Sequence, residues 1–397
     1  MATNARLLHP GPLTRILLVA TIATGIALSM ALLARPSVPS RPAEESSPLA
    51  SIPAGWTKLP EPPEVRAGAA YVWAGSEVLA WGGCEAASGS RCTPSADGYS
   101  FDPGSRAWEA IPPAPSEGAQ AGAVWTGDEA IFLNEVAGRA GGQAFDPATG
   151  SWRTLPAGPI PYSRGGVRVW TGSELIVWGG GDHDSPTTRN GAAYDPKADS
   201  WRPLPAAPLG LNLASGVWTG EEVIVFGSLL DDRNLADTRT SVGAAYDPDS
   251  DAWRELPASD LSPQATSARW VDGRLLAWDY EVHWQTYDPG SDSWSPATEM
   301  PLEFSECYPD SAVAGRRLLA YFCGQAAFYE NGGWRELRGG PLAEKIEGLD
   351  LWRFPTLVPA GDVIFVPLEG ITVGQTAEGE ACYGCPGSPT SFWAYRP

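Results

Sequence analysis

At ~150 residues per domain, a chain of 397 residues has room for two or three domains, or for one large all-β unit. It carries 45 Gly and 38 Pro but no collagen-type triplet, and its 43% hydrophobic and 10% aromatic residues supply ample core, which excludes collagen and bulk disorder. The formal net charge of −20 repels nucleic acid and anionic membrane surfaces and suits a net-basic partner or a cation.

Residues 1–35 read as a targeting segment. Within it, residues 16–34 are uncharged and mostly apolar, flanked by Arg15 and Arg35, and about long enough to cross a bilayer as a helix. Ser29-Met30-Ala31 offers a small-x-small site to a signal peptidase, yet the length of the apolar run favours an uncleaved signal anchor, with secretion after cleavage as the alternative. Arg6 and Arg15 before the run are balanced by Arg35 and Arg41 after it, so charge barely orients it. Cysteines break the tie: Cys84 and Cys92, Cys307 and Cys323, Cys382 and Cys385 form three close pairs, as an oxidising compartment would give. The body is therefore expected to be extracytoplasmic and held at the cell membrane. Spacing leaves the disulfide pairing open. Cys382-Tyr-Gly-Cys385 is read as a loop staple rather than a redox pair or half a metal site, because no helix N-terminus is at hand to lower a thiolate pKa. Residues 36–51, with Pro36, Pro39, Pro42 and Pro48, form a stiffened, solvated tether, and residues 52–397 the folded body.

From residue 56 the sequence repeats itself. One marker is an aromatic followed by Asp-Pro, with a Trp seven residues after the aromatic: Phe101 to Trp108, Phe145 to Trp152, Tyr194 to Trp201, Tyr246 to Trp253 and Tyr287 to Trp294. A shorter sixth copy runs from Phe328 to Trp334 without Asp-Pro. A second marker is a hairpin turn, Ala-Gly-Ser-Glu at 74–77 and Thr-Gly-x-Glu at 126–129, 171–174 and 219–222, with looser copies at Gly273, Gly315 and Gly361. A Trp ends the strand before the turn, and a short apolar run follows it, such as Val78-Leu79-Ala80-Trp81 or Leu175-Ile176-Val177-Trp178. Runs of four bounded by Gly are buried strands, too short for helices. The third marker, Gly-Gly directly after that run, stands at Gly82-Gly83 and Gly179-Gly180 and erodes to Gly227-Ser228. Asp-Pro suits the last turn, since Asp bonds back to the backbone and Pro cannot continue a ladder.

These residues resemble the kelch repeat family, of the type found in the galactose-oxidase-like central domain. Gly82-Gly83 and Gly179-Gly180 match its double glycine, Tyr194 and Tyr246 its third-strand tyrosine, and the spaced Trp its fourth-strand tryptophan. The resemblance spans residues 56–397 and implies an all-β, kelch-type β-propeller with one four-stranded blade per repeat. Fourth-strand Trp residues occur at 56, 108, 152, 201, 253, 294 and 334, which gives seven blades of about 49 residues. Trp56 precedes any first strand, and the C-terminus stops at a third strand, Trp393-Ala394-Tyr395-Arg396-Pro397. The two ends must complete one blade together, closing the ring with no free edge.

In propellers of this kind, function gathers where the loops between second and third strands and the inter-blade segments converge over the channel. The loops here are acidic: Asp182, His183 and Asp184 in the third blade, Asp231 and Asp232 in the fourth, Glu281, His283 and Trp284 in the fifth, and only Asn134-Glu135 in the second. If any of these holds a metal, Asp182, His183 and Asp184 are the set, with oxygens for calcium and imidazole for a transition metal, although a hydrated loop accounts for the same residues. No cofactor is expected beyond such a divalent cation. Arg66 and Arg164 open the first and third blades where they would grip a ligand carboxylate or bond neighbouring carbonyls. Marker tryptophans are core; Trp284, beside His283 in a long loop, is the better stacking residue for a ligand.

Galactose-oxidase-like enzymes need two His, two Tyr and a cross-linked Cys at copper. Apart from His9, this chain has only His183 and His283, two blades apart, and its cysteines look paired off, so that site looks incomplete and no catalytic residue is assigned. The expected function is a monomeric, extracytoplasmic recognition module binding a protein, peptide or glycan, and no nucleic acid, at its loop-rich face. The alternatives are a carbohydrate-active or copper-dependent oxidase-like enzyme on the same propeller, and a non-binding surface spacer.

Overall fold

The structure, a computed structural model, describes residues 47–397 apart from 65, 67, 86–92, 120, 163–165, 181–187, 231–235, 263–266, 280, 303–309, 323–324, 342–353, 370–373, 376–380 and 383–390. The apolar run 16–34 and most of the tether lie outside the described residues, among which no helix is long and apolar enough to cross a membrane.

Antiparallel sheets follow one another along the chain, each built on a four-stranded meander from an inner to an outer strand, to which blades 5 and 7 add the short strands Thr298–Glu299 and Phe354–Pro355. Blade 1 is Ala70–Trp73, Val78–Trp81, Gly98–Asp102 and Ala107–Ile111; blade 2 is Gly122–Trp125, Ala130–Val136, Arg139–Asp146 and Ser151–Leu155. Blade 3 is Val167–Trp170, Leu175–Trp178, Gly191–Asp195 and Ser200–Pro203; blade 4 is Leu211–Trp218, Val223–Leu230, Ala236–Asp247 and Ala252–Glu255. Blade 5 is Ser267–Val271, Arg274–Trp278, His283–Asp288 and Ser293–Trp294, and blade 6 is Asp310–Ala314, Arg317–Phe322, Gln325–Glu330 and Gly333–Leu337. Blade 7 takes Val358–Ala360, Val363–Glu369 and Ser391–Arg396 from the C-terminal end of the chain, and its outer strand is Gly55–Leu59, paired Trp56 to Tyr395. Inner strands neighbour one another in cyclic order, blade 7 meeting blade 1, so the seven blades form a closed propeller.

The second strands are buried on both faces, as their unbroken apolar runs require. Their side chains feed seven buried clusters, one between each pair of adjacent blades. Between blades 2 and 3, for example, Ile131 and Leu133 meet Leu175, Val177 and Tyr194. Each such fully buried side chain stabilises by about 1.5–3 kcal/mol.

The repeat markers occupy equivalent places. Third-strand aromatics pair across the ladder with outer-strand tryptophans, as Phe101 with Trp108 and Tyr194 with Trp201. The outer indoles of Trp108, Trp152, Trp201, Trp253 and Trp294 donate to the carbonyls of Pro60, Pro112, Pro156, Pro205 and Pro257, each just past the outer strand of the preceding blade, at 2.7–2.9 Å. In the sixth blade the expected marker shifts by one residue. Tyr329, not Phe328, pairs with Trp334, because the turn there is the two-residue Asn331-Gly332, both with positive φ. Phe328 instead faces blade 7 and stacks on Tyr395.

The Asp-Pro turns form as the chemistry demands: Asp102, Asp146, Asp195, Asp247 and Asp288 each accept the backbone N–H two residues on, at 2.8–2.9 Å. Three blade junctions carry a further bolt. Arg202 grips Glu174 of its own blade with Nε and Nη2 at 2.9 and 2.7 Å, while Nη1 reaches the Tyr246 hydroxyl of the next blade at 3.2 Å. That hydroxyl donates to Asp251 at 2.6 Å, and Asp251 sits in left-handed backbone that Asp tolerates. Arg153 with Glu129, Tyr194 and Asp199, and Arg254 with Glu222, Tyr287 and Asp292, repeat the arrangement.

Candidate functional site

Antiparallel order sorts the connections by end. The 1–2 and 3–4 turns share one end of the ring, whereas the 2–3 loops and the inter-blade segments share the other. The turn end is short and bonded: Thr126, Thr171 and Thr219 cap their own hairpins, and the Asp turns and arginine bolts lie beside them. Residues 47–54 strap this end. Leu49 and Ile52 are buried, Ser51 donates to the Pro103 carbonyl at 2.7 Å, and Arg396 donates to the Leu49 carbonyl at 2.6 Å. A cleft of about 350 Å³ also opens here between blades 5, 6 and 7, but its arginines are paired, Arg316 with Asp272 and Arg317 with Glu330.

The loop end is uneven. In blade 2 the connection collapses to the two-residue turn Ala137-Gly138, which places Asn134 and Glu135 on the second strand rather than in a loop. In blade 4 the second and third strands extend past the ring as a long hairpin. Blade 1 adds a small ladder, Cys84–Glu85 with Thr93–Pro94, and blade 7 another, Gly374–Gln375 with Ala381–Cys382. Cys84 is disulfide-bonded, and none of the described cysteines is free; Cys92, Cys307, Cys323 and Cys385 lie outside the described residues.

The double glycines are needed where they stand. Gly82 and Gly83 have φ of 73° and 87°, and a Cβ on Gly82 would lie 2.3 Å from the Gly118 carbonyl oxygen. Blade 5 replaces the first glycine with Asp279, which is 1% exposed and closes a tight loop by accepting the backbone N–H of His283 and of Ser262, both at 2.9 Å.

Among the expected site residues, Arg164, Asp182, His183, Asp184, Asp231 and Asp232 lie outside the described residues. Arg66 is 5% exposed and engaged: it bonds Glu64 and, at 3.4 Å, both the carboxylate and the carbonyl of Asp97, which holds the mouth of its own blade's loop together. Glu281 is exposed at the tip of the Asp279–His283 loop, and His283 Nδ1 lies 3.6 Å from Asp279 Oδ1, its ring partly open to solvent. Trp284 does not project from a long loop. It belongs to the third strand of blade 5 and packs against Tyr329 and Trp334 of blade 6, at ring separations of 5.5 and 6.4 Å. Among the described residues, no three His, Cys, Asp or Glu side chains come together as a metal site.

Sequence reasoning missed three charged residues on the inner strands: Arg168, Arg269 and Asp310. Arg168 stacks over Tyr162 at 5.9 Å, and Arg269 and Asp310 occupy adjacent strands at the junction of blades 5 and 6. A charged residue inside a strand that should line the ring's axis is the signal that was available. No protein-family model matches the chain, and no curated protein matches it.

Proposed function

We propose that this chain is a kelch-type propeller serving as an extracytoplasmic recognition module, held at a membrane by residues 16–34, which binds a protein, peptide or glycan at its loop end. The observation that carries this reading is the contrast between the two ends. One is tied down by capped turns, arginine bolts and the strap 47–54; the other presents connections of unequal length on a rigid ring, the arrangement that places binding residues on a scaffold. The strap lies on the turn end, so the loop end is clear of it. The acidic residues Asp182, Asp184, Asp231, Asp232 and Glu281 favour a ligand with basic groups. The cysteine pairs, with Cys84 in a disulfide, support an oxidising compartment.

Thermal melts of the chain test the reading, run with and without chelator against basic peptides, glycans, copper, calcium and zinc. Stabilisation by a peptide or glycan that survives the chelator supports it, since a ligand at 100 times its dissociation constant adds about 2.7 kcal/mol. A copper-specific rise that His183→Ala and His283→Ala both abolish contradicts it and favours an oxidase-like enzyme.

A further inference from the structure

We infer that the junction of blades 5 and 6, at the inner edge of the ring, is a binding site for a single carboxylate group, built from Arg269 and Ser311. The inference stands apart from the loop-end reading, since it concerns the channel wall.

Arg269 lies in the middle of an inner strand and reaches across to the neighbouring one. Its Nε and Nη2 donate to the Ser311 carbonyl at 3.3 and 3.1 Å, and Nη1 donates to the Ala268 carbonyl at 2.9 Å. A guanidinium carries five N–H donors, so these three bonds leave one unspent on each terminal nitrogen. Both of its acceptors are neutral carbonyls, and no carboxylate among the described residues lies within ion-pair distance of it. The bolting arginines at the turn end are the opposite case, each gripping a glutamate with two nitrogens.

Beside Arg269, the Ser311 hydroxyl is buried without a hydrogen-bond partner, in a residue 5% exposed. A buried hydroxyl with nothing to bond costs about 1–3 kcal/mol, so an unspent hydroxyl on the very residue whose carbonyl holds the guanidinium marks a place prepared for an acceptor. A two-oxygen anion satisfies both, one oxygen on the guanidinium and the other shared with the hydroxyl.

Asp310 narrows the choice. It begins the same inner strand as Ser311, where its carboxylate accepts the Ser311 N–H at 2.7 Å and a backbone bond from Leu357 of blade 7. Burial pushes its carboxyl up, while Arg269 pulls it down from beyond contact distance. Arg269 is held below its ordinary value by burial, with Asp310 opposing. A nearby acidic group tolerates one incoming negative charge far better than two, so a monocarboxylate fits and a sulfate or phosphate dianion does not. Taken as whole residues, Arg269 and Asp310 are each only partly buried.

The test is a titration of the full chain with sodium acetate and sodium propionate, against sodium sulfate and sodium chloride at fixed ionic strength, read by melting midpoint and by indole fluorescence. Expected is a saturable response to the carboxylates alone. It should weaken at least about tenfold in Arg269→Gln and in Ser311→Ala, and be partly restored in Arg269→Lys, which keeps the charge but loses the fork. Arg316→Gln, on the turn end, should leave it unchanged. If Arg269→Gln does not fold, Ser311→Ala and Arg269→Lys carry the test. A wild-type chain that answers sulfate as strongly as acetate, or that does not answer acetate, overturns the inference. So does a response unchanged in Ser311→Ala and Arg269→Lys.

Discussion

At Tyr246 a single hydroxyl joins two blades: it receives a bond from Arg202 and gives one to Asp251. Burial first, and the bond to Asp251 second, push its phenol up to about 12. The folded state therefore holds this proton more tightly than the unfolded chain does. The stability it contributes is fully present below pH 10 and is lost as pH rises from about 10 to about 12. Alkaline melts should show that fall, and Tyr246→Phe should reduce it while costing about 1 kcal/mol at neutral pH. Blade 1 shows what happens without the bolt. Glu109 stands where Arg153, Arg202 and Arg254 stand in their blades, and burial, with Asp102 and Glu109 nearby, holds the Glu77 carboxyl above its usual range. Glu109→Arg should pair with Glu77 and raise stability by about 0.5–1 kcal/mol in urea unfolding, solvent screening keeping the gain small. The bolts were not legible in the sequence. Their glutamates and tyrosines belong to markers that local chemistry already explains, and each arginine lies 33 to 44 positions from the tyrosine it reaches. Arg269 escaped notice because one arginine in a four- to five-residue strand reads as a solvent-facing position.

Strands were the most legible elements, since Gly-bounded apolar runs and the aromatic-to-Trp spacing each report one physical requirement: a doubly buried strand and a ladder pair across a turn. The reading slipped where two aromatics compete. Phe328 and Tyr329 are adjacent, and only the shortened Asn331-Gly332 turn decides which of them meets Trp334. Trp284 was misplaced for a related reason: Asp279 closes its loop so early that a segment rich in polar residues is already strand. The double glycines give a graded prediction at this scale. Gly82→Ala should cost at least about 3 kcal/mol, because the new methyl meets the Gly118 carbonyl at 2.3 Å in left-handed backbone. Gly179→Ala should cost about 1 kcal/mol, since its nearest neighbour, the Thr188 carbonyl, is 3.7 Å away and only the backbone strain remains. Equal costs in paired denaturation curves would contradict this account of the two turns.

For the whole molecule, closure depends on Gly55–Leu59, the only strand of blade 7 supplied from the N-terminal side of the ring. Its pairing was legible because Trp56 had no blade of its own; most of the strap before it was not, since residues 47–51 read as the end of a Pro-rich tether. Together they cover Phe392 and Val358 and join blade 7 to blade 1. Deleting residues 47–59 should expose the Ser391–Arg396 edge, abolish cooperative melting and promote aggregation. An unchanged midpoint would mean that closure does not depend on this strand. The proposed binding face was the least legible part, because fold does not name a ligand and most of the expected residues are isolated charges on loops. The measurement that bears most directly on the account is equilibrium binding of a basic-peptide and glycan panel to the intact chain and to two double variants. One variant alters the loop end, Glu281→Ala with His283→Ala; the other alters the turn end, Asp272→Ala with Arg316→Ala. A recognition module of the kind proposed binds without added metal, loses at least about tenfold in affinity with the loop-end pair and nothing with the turn-end pair. Binding lost only with the turn-end pair, or seen only with copper, would contradict it.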